Sequence, residues 1–268
     1  MTRTPPRALS IAGSDPSGGA GLQADVAVFT RLGAHPMAVP TALTVQNSVG
    51  VAEVMPLPAA FVTRQLAHLL ADMPPAATKT GMLGTDEVVA ALADLLDGRP
   101  LPNLVIDPIR HASSGAELLT GPGHRLLAER LLPHAALITP NRDEAALLWG
   151  QPVTNGADAA RCAQALRESG ARAVLITGGH LPDKNHVVDT LADAEGITTW
   201  RHPRHMGAVP HGTGCALTAA ITAHLAHGLP LRESIRRALG YVGRAIRAAH
   251  APGRGRPYLG DGREFPQE

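Results

Sequence analysis

One pattern recurs along this chain: a short apolar run, a glycine-rich or polar cluster at its end, then helical periodicity. Ala8-Leu9-Ser10-Ile11-Ala12 ends in Gly13-Ser14-Asp15-Pro16-Ser17-Gly18-Gly19-Ala20-Gly21, and a helical segment over 22–32 follows. Residues 37–45 end in Gln46-Asn47-Ser48, 77–80 in Gly81, 104–106 in Asp107-Pro108, 136–138 in Thr139-Pro140-Asn141, and 173–176 in Thr177-Gly178-Gly179-His180. Further helices are expected over 58–71, 85–96, 124–132, 143–148, 157–169, 217–226 and 231–249, with 187–191 and 197–200 as an antiparallel strand pair. Strands alternating with helices build an α/β domain around a mostly parallel sheet. Neither a repeat nor a linker divides it, so 1–268 is read as a single domain with 1–7 and 253–268 as loose surface termini. Open sheets of this class hold ligands at the carboxyl ends of their strands. The ligand-capable residues of this chain fall there or in the loops that follow.

Composition removes several classes of function. Hydrophobic residues make up 44% and charged residues 18%, which is a globular balance, and the net charge of +1 offers no field for nucleic acid or an anionic membrane. No run approaches the ~18 apolar residues that span a bilayer, and no apolar signal region follows Met1. A cytoplasmic protein acting on small molecules is expected. The two cysteines, Cys162 and Cys215, share no metal-ligand or disulfide spacing, and Cys162 reads as a small helix residue.

The chemistry centres on His211-Gly212-Thr213-Gly214-Cys215, which runs directly into the apolar Ala216-Leu217-Thr218-Ala219-Ala220-Ile221. Two glycines let backbone approach a ligand, and the unpaired N–H groups of a helix start attract an anion. A thiol placed there has its pKa lowered, which makes Cys215 a candidate base or nucleophile. The same stretch also fits a turn that merely starts a buried helix. Two other fingerprints fail on the first loop. No Lys-Ser/Thr follows it for a phosphate loop, and no Asp or Glu stands between Asp25 and Glu53 for a dinucleotide ribose.

With a phosphate on 212–215, phosphoryl transfer needs a divalent cation and an oriented acceptor. Asn141 and Glu144, spaced i, i+3, are hard oxygen ligands of the kind Mg²⁺ uses; they equally fit an N-cap with its capping-box glutamate. Asp25 and Gln46 can hold a small polar heterocycle through their carboxylate and amide, and equally fit an exposed helix carboxylate and a turn amide.

Taken in order, 13–25, Thr44-Val45-Gln46-Asn47-Ser48, Lys79-Thr80-Gly81-Met82-Leu83, Thr139-Pro140-Asn141-Arg142-Asp143-Glu144 and His211-Gly212-Thr213-Gly214-Cys215 resemble the hydroxymethylpyrimidine/phosphomethylpyrimidine kinases. These belong to the ribokinase-like superfamily and act in thiamine biosynthesis. The resemblance spans roughly 8–250 and implies a ribokinase-like domain with helices on both faces of the sheet, ATP and Mg²⁺, a homodimer, and phosphorylation of a hydroxymethyl group on an aminopyrimidine. It makes the backbone of Gly212, Thr213, Gly214 and Cys215 the anion hole, with Cys215 the base. It places Gly13, Asp25, Gln46 and Met82 at the substrate, with Arg110 beside them. It puts Asn141, Thr177 and Gly179 at ATP, and Glu144 and Asp107 near the metal.

Departures from the family pattern bear on substrate. Asp107-Pro108-Ile109-Arg110-His111-Ala112-Ser113-Ser114-Gly115 carries Arg110 where the family has methionine and Ser113 where it has lysine, and Thr177 replaces a lysine that would contact phosphate. The second phosphorylation, of monophosphate to diphosphate, is the step these changes touch. Arg110 either restores the charge or reads an anionic group on another substrate. A pyridoxine or pyridoxal kinase, a specialised paralogue acting on a related heteroaromatic alcohol, and a binding protein that lost efficient transfer are the rival readings. A thiol hydrolase using Cys215 and His211 lacks the base-plus-orienter arrangement.

Overall fold

The computed structural model describes residues 4–111, 115, 117–207 and 209–263, so Ser113 lies outside the described residues. Nine strands form one sheet in the order β3-β2-β1-β4-β5-β6-β7-β8-β9. These are β1 (Arg7–Ser14), β2 (His35–Gln46), β3 (Val51–Pro56), β4 (Ala77–Thr80), β5 (Leu104–Ile106), β6 (Leu137–Ile138), β7 (Val174–Ile176), β8 (His186–Asp193) and β9 (Gly196–Pro203). From β2 to β7 the pairings are parallel; β3 joins β2, β8 joins β7 and β9 joins β8, all antiparallel. The reading of one α/β domain around a mostly parallel sheet with helices on both faces holds, and the crossovers reverse direction between β1 and β4. That reversal opens a crevice at the carboxyl ends of the strands.

Both faces of the sheet are covered because the central strands are apolar on both sides. Leu9, Ile11, Leu104, Ile106, Val174 and Ile176 pack into a core with α2 (Ala59–Asp72), α3 (Asp86–Gly98), α5 (Arg142–Trp149) and α6 (Gly156–Glu168). Their neighbours Ala8, Val105 and Leu175 point the other way, into a second core under α1 (Gly21–Arg31), α7 (Thr213–Ala226) and α8 (Leu231–Arg247). Ten of the residues of α7 are buried, which makes it a central helix. In α8, Ile235, Ala238, Tyr241, Val242 and Ala245 form the single buried stripe of an outer helix.

Two expectations are corrected. The helix read over 124–132 begins earlier, as α4 (Gly121–Leu126), because Thr120 caps it by accepting the Gly123 N–H at 3.0 Å and Pro122 suits its first turn. It then widens into a π turn at Leu127–Leu131 and a 3-10 turn at Leu132–His134 around Pro133. The tail is the second. Residues 253–263, read as loose surface, fold back onto the strand-end loops: Gly255 N–H and Arg256 N–H donate to Ser48, Tyr258 is buried, and Arg244 holds the Gly262 carbonyl at 2.8 Å. Local composition cannot register this, since the partners lie far along the chain. Among the described residues, no helix is long and apolar enough to cross a membrane.

Candidate active site

Two glycine loops meet at the mouth of α7. In the first, Asp15 gathers the backbone: Oδ1 accepts from Ser17 N–H (2.9 Å) and Oγ (2.5 Å), and Oδ2 accepts from Ala20 N–H (2.9 Å). Burial opposes ionisation of Asp15, but hydrogen bonds from His211 and Ser17 hold its carboxyl below the usual carboxylate range. In the second loop, Gly212 has φ +78°, and a Cβ there would overlap the Gly19 carbonyl oxygen. Only glycine permits that backbone approach. No side chain caps α7, and the Thr213 hydroxyl turns away to the Pro210 carbonyl at 2.9 Å. The start of a buried helix, without a side-chain cap among the described residues, therefore lines the crevice, and free N–H groups at a helix start favour an anion.

Beneath this mouth lies a buried charge cluster. Lys79 Nζ touches both oxygens of Asp25, at 2.7 and 2.8 Å, with both side chains fully buried, and Ser10 Oγ donates to Asp25 at 2.6 Å. Burial works against the Lys79 ammonium, but Asp25, Cys215 and Asp107 hold its pKa above the ordinary value. Burial pushes the Cys215 thiol up to about 12; Lys79 opposes this, while Asp107 and Asp25 add to it. The expected lowering of the Cys215 pKa is thus reversed: loss of water and two carboxylates outweigh the helix terminus and Lys79. Asp107, also buried, is pushed up to about 6 by burial despite Lys79, and its Oδ2 has no hydrogen-bond partner among the described residues.

The i, i+3 pair makes the capping box of α5. Asn141 Oδ1 accepts from Asp143 N–H (2.9 Å) and Glu144 N–H (3.1 Å), and Glu144 Oε2 accepts from Asn141 N–H (2.9 Å). Burial, then the Asp107 charge, pushes Glu144 up to about 8, against hydrogen bonds from the backbone of Asn141 and Arg110. The structural role and a place at the crevice coexist in Glu144. Along the other wall, Asp189 fixes the turn after β7 through Gly178 N–H (2.8 Å) and pairs with His202 (2.9 Å), a bond that raises the His202 pKa.

These groups line one cleft of about 1360 Å³. It brings together Gly13, Gln46, Met82, Asp107, Arg110, Asn141, Glu144, Thr177, Gly179 and the 212–215 loop. Asp25 is the exception. It is fully buried behind Lys79, so its expected contact with substrate is corrected to a contact with the lysine that lines the cleft in its place. At the far end, Gln46 Nε2 pairs with His211 Nε2 at 3.1 Å, and the His211 ring leans on Tyr258, whose hydroxyl donates to Ser17 at 2.6 Å. Met82 rests on the bare backbone of Gly13, where a Cβ would come within 2.8 Å of its sulfur. Sequence reasoning missed Lys79, Asp189, His202 and Tyr258 as site residues. One signal pointed to Lys79: it is one of two lysines among 24 basic residues.

Among the described residues, no group of three or more His, Cys, Asp or Glu forms a metal-binding set. Asp107 and Glu144 bring a pair of carboxylates to the cleft.

A family model described as phosphomethylpyrimidine kinase matches residues 15–259. The hydroxymethylpyrimidine/phosphomethylpyrimidine kinase of Rhizobium meliloti is 42% identical over 243 residues, covering 90% of this chain and 91% of that protein. The thiamine biosynthesis bifunctional protein ThiED of Geobacter sulfurreducens is 42% identical over 92% of this chain, which spans 50% of that longer protein. Among solved structures, the pyridoxal kinase from Staphylococcus aureus in complex with AMP-PCP and pyridoxal superposes with a TM-score of 0.88 at 30% identity, covering 97% of this chain and 94% of that one.

Proposed function

This chain belongs to the phosphomethylpyrimidine kinase family, and from that premise we propose that it transfers the γ-phosphoryl group of ATP to the hydroxymethyl group of 4-amino-5-hydroxymethyl-2-methylpyrimidine, a step of thiamine biosynthesis. The observation that carries this reading is the uncapped mouth of α7, with Cys215 beside it, opening into the cleft. Its N–H groups meet charge as it develops on the migrating phosphoryl group, and they do so without reorganising. Gln46 and Met82 hold the ring at one end of the cleft; Thr177 and Gly179 border the nucleotide at the other. Cys215 accepts the hydroxyl proton as the new P–O bond forms, with Lys79 stabilising the thiolate. Asp107, whose unpartnered Oδ2 fits a cation, and Glu144 would hold Mg²⁺ directly or through water, and the ion would offset charge on the β- and γ-phosphates.

The relatives share more sequence with this chain (42%) than the pyridoxal kinase does (30%), which favours the pyrimidine over pyridoxal. ADP release measured with the aminopyrimidine alcohol and with pyridoxal decides between them. The expected result is a kcat/KM higher for the pyrimidine; turnover of pyridoxal alone would overturn the assignment.

We also propose a homodimer through the β2–β3 edge. Leu43 and Val45 lie on one face of β2, Met55 pairs with Leu43 across the antiparallel ladder, and all three are exposed, as is Val49 in the intervening turn. An apolar patch on an edge hairpin is a contact surface in search of a partner.

A further inference from the structure

Most cationic side chains along the cleft are already engaged. Asp25 clasps Lys79 with both oxygens; Arg204 donates to the carbonyls of Gly179, Leu181 and Asp183; Arg201 pairs with His186 at 2.9 Å. Arg110 differs. Among the described residues its Nε is buried without a hydrogen-bond partner, and its ion pair to Glu117 is long, 3.4 Å, between two partly exposed side chains. The backbone beneath it is fixed, because its carbonyl accepts from Leu118 N–H at 2.7 Å and Leu119 N–H at 3.3 Å. Its neighbour Ile109 reaches to 3.9 Å from the point where a Gly81 side chain would begin, beside Met82 at the acceptor end. Arg110 lines the same cleft as Asp107, Glu144, Gly81 and Met82, with a donor that has no partner among the described residues. Thr177, on the nucleotide wall, brings no charge.

We propose that Arg110 binds the phosphate of a phosphorylated acceptor, a heteroaromatic methyl phosphate monoester, and so governs a second transfer at this site. The proposal rests on the kinase reading above. A guanidinium fork matches phosphate oxygens in two parallel N–H···O bonds, and an unpaired buried Nε gains most from such a ligand. In this transfer a phosphate oxygen of the monoester forms a bond to the γ-phosphorus. The bond from that phosphorus to the β,γ-bridging oxygen breaks, ADP leaves and a diphosphate ester forms. The attacking dianion carries no proton, so this step needs charge neutralisation and not a base, which is what Arg110 supplies.

The test is steady-state kinetics of wild type, Arg110→Met and Arg110→Lys with the aminopyrimidine alcohol and with its monophosphate, varying acceptor and then ATP. Arg110→Met is expected to lower kcat/KM for the monophosphate about 10- to 100-fold, mainly through KM. The loss with the alcohol is expected to be at least about tenfold smaller, and Arg110→Lys to recover part of the difference. Equal losses on both acceptors, a rise confined to the KM of ATP, or unchanged kinetics would each overturn the proposal; the second would place the guanidinium on the nucleotide. Wild-type protein that turns over neither acceptor sinks the kinase reading instead. Calorimetric titration of the monophosphate then still decides the role of Arg110: tighter binding than the alcohol, lost in Arg110→Met, supports it, and equal binding in both proteins refutes it.

Discussion

Cys215 sits where opposed fields meet: a helix terminus and Lys79 favour its thiolate, while burial, Asp107 and Asp25 favour the thiol. With the pKa pushed up to about 12, the ionised form is a minor species at neutral pH. The thiolate fraction then rises with each pH unit, so kcat for the alcohol is expected to climb from about pH 7 to about pH 10 without a plateau. Cys215→Asp should flatten that rise, and a pH-independent kcat in the wild type would remove the thiol from the mechanism. Glu144 gives a second titration with the opposite sense for stability. Its folded pKa is raised from 4.5 to about 8, so the native state keeps a proton that the unfolded chain has lost. Its contribution to stability therefore falls as pH rises between those values. In metal-free protein, Glu144→Gln is expected to gain melting temperature relative to wild type on going from about pH 5 to about pH 8. A difference that stays constant over that range would contradict the burial argument.

At the scale of elements, the mouth of α7 depends on two loops whose backbones touch. Gly212→Ala would force an L residue to φ +78° and drive its Cβ into the Gly19 carbonyl. A loss of at least about 2 kcal/mol in unfolding experiments is expected, together with a fall in kcat of about 100-fold. Gly214 offers the control that separates fold from ligand. A Cβ there meets nothing within 4 Å, so Gly214→Ala should keep the wild-type melting temperature, and whatever kcat it loses reports on the anion itself. A Gly212→Ala protein with normal turnover would show that this mouth is not where the phosphoryl group sits. The capped starts of α3 and α5 were readable from sequence because their partners are local, Thr85 for α3 and Asn141 with Glu144 for α5, whereas the equally local Thr120 cap of α4 was passed over. The π turn after α4 was not readable, because it depends on how that segment packs against α3 and not on its own periodicity.

Across the whole molecule, the sheet ends in two unlike edges. The β9 edge carries Arg201 and His202 beside an exposed Ile197, whereas the β2–β3 edge presents Leu43, Val45 and Met55 to solvent. Charge on an edge discourages pairing and an apolar stripe invites it. Val45→Glu combined with Met55→Glu is expected to convert a dimer into a monomer in sedimentation velocity; an unchanged sedimentation coefficient would reject this edge as the interface.

The sequence by itself determined the alternation of strands and helices, the strand ends that line the cleft, and the glycine turn that starts α7. Each is local, arising from apolar periodicity, from glycine, or from a cap within four residues. Tertiary structure alone decided the charge states and the closing contacts. Asp25 meets Lys79 across 54 residues and so leaves the cleft, Tyr258 meets Ser17 across 241, and the thiol of Cys215 takes its pKa from neighbours on three other elements. Burial and electrostatic field are properties of what surrounds a group in space, and residues distant along the chain supply those surroundings.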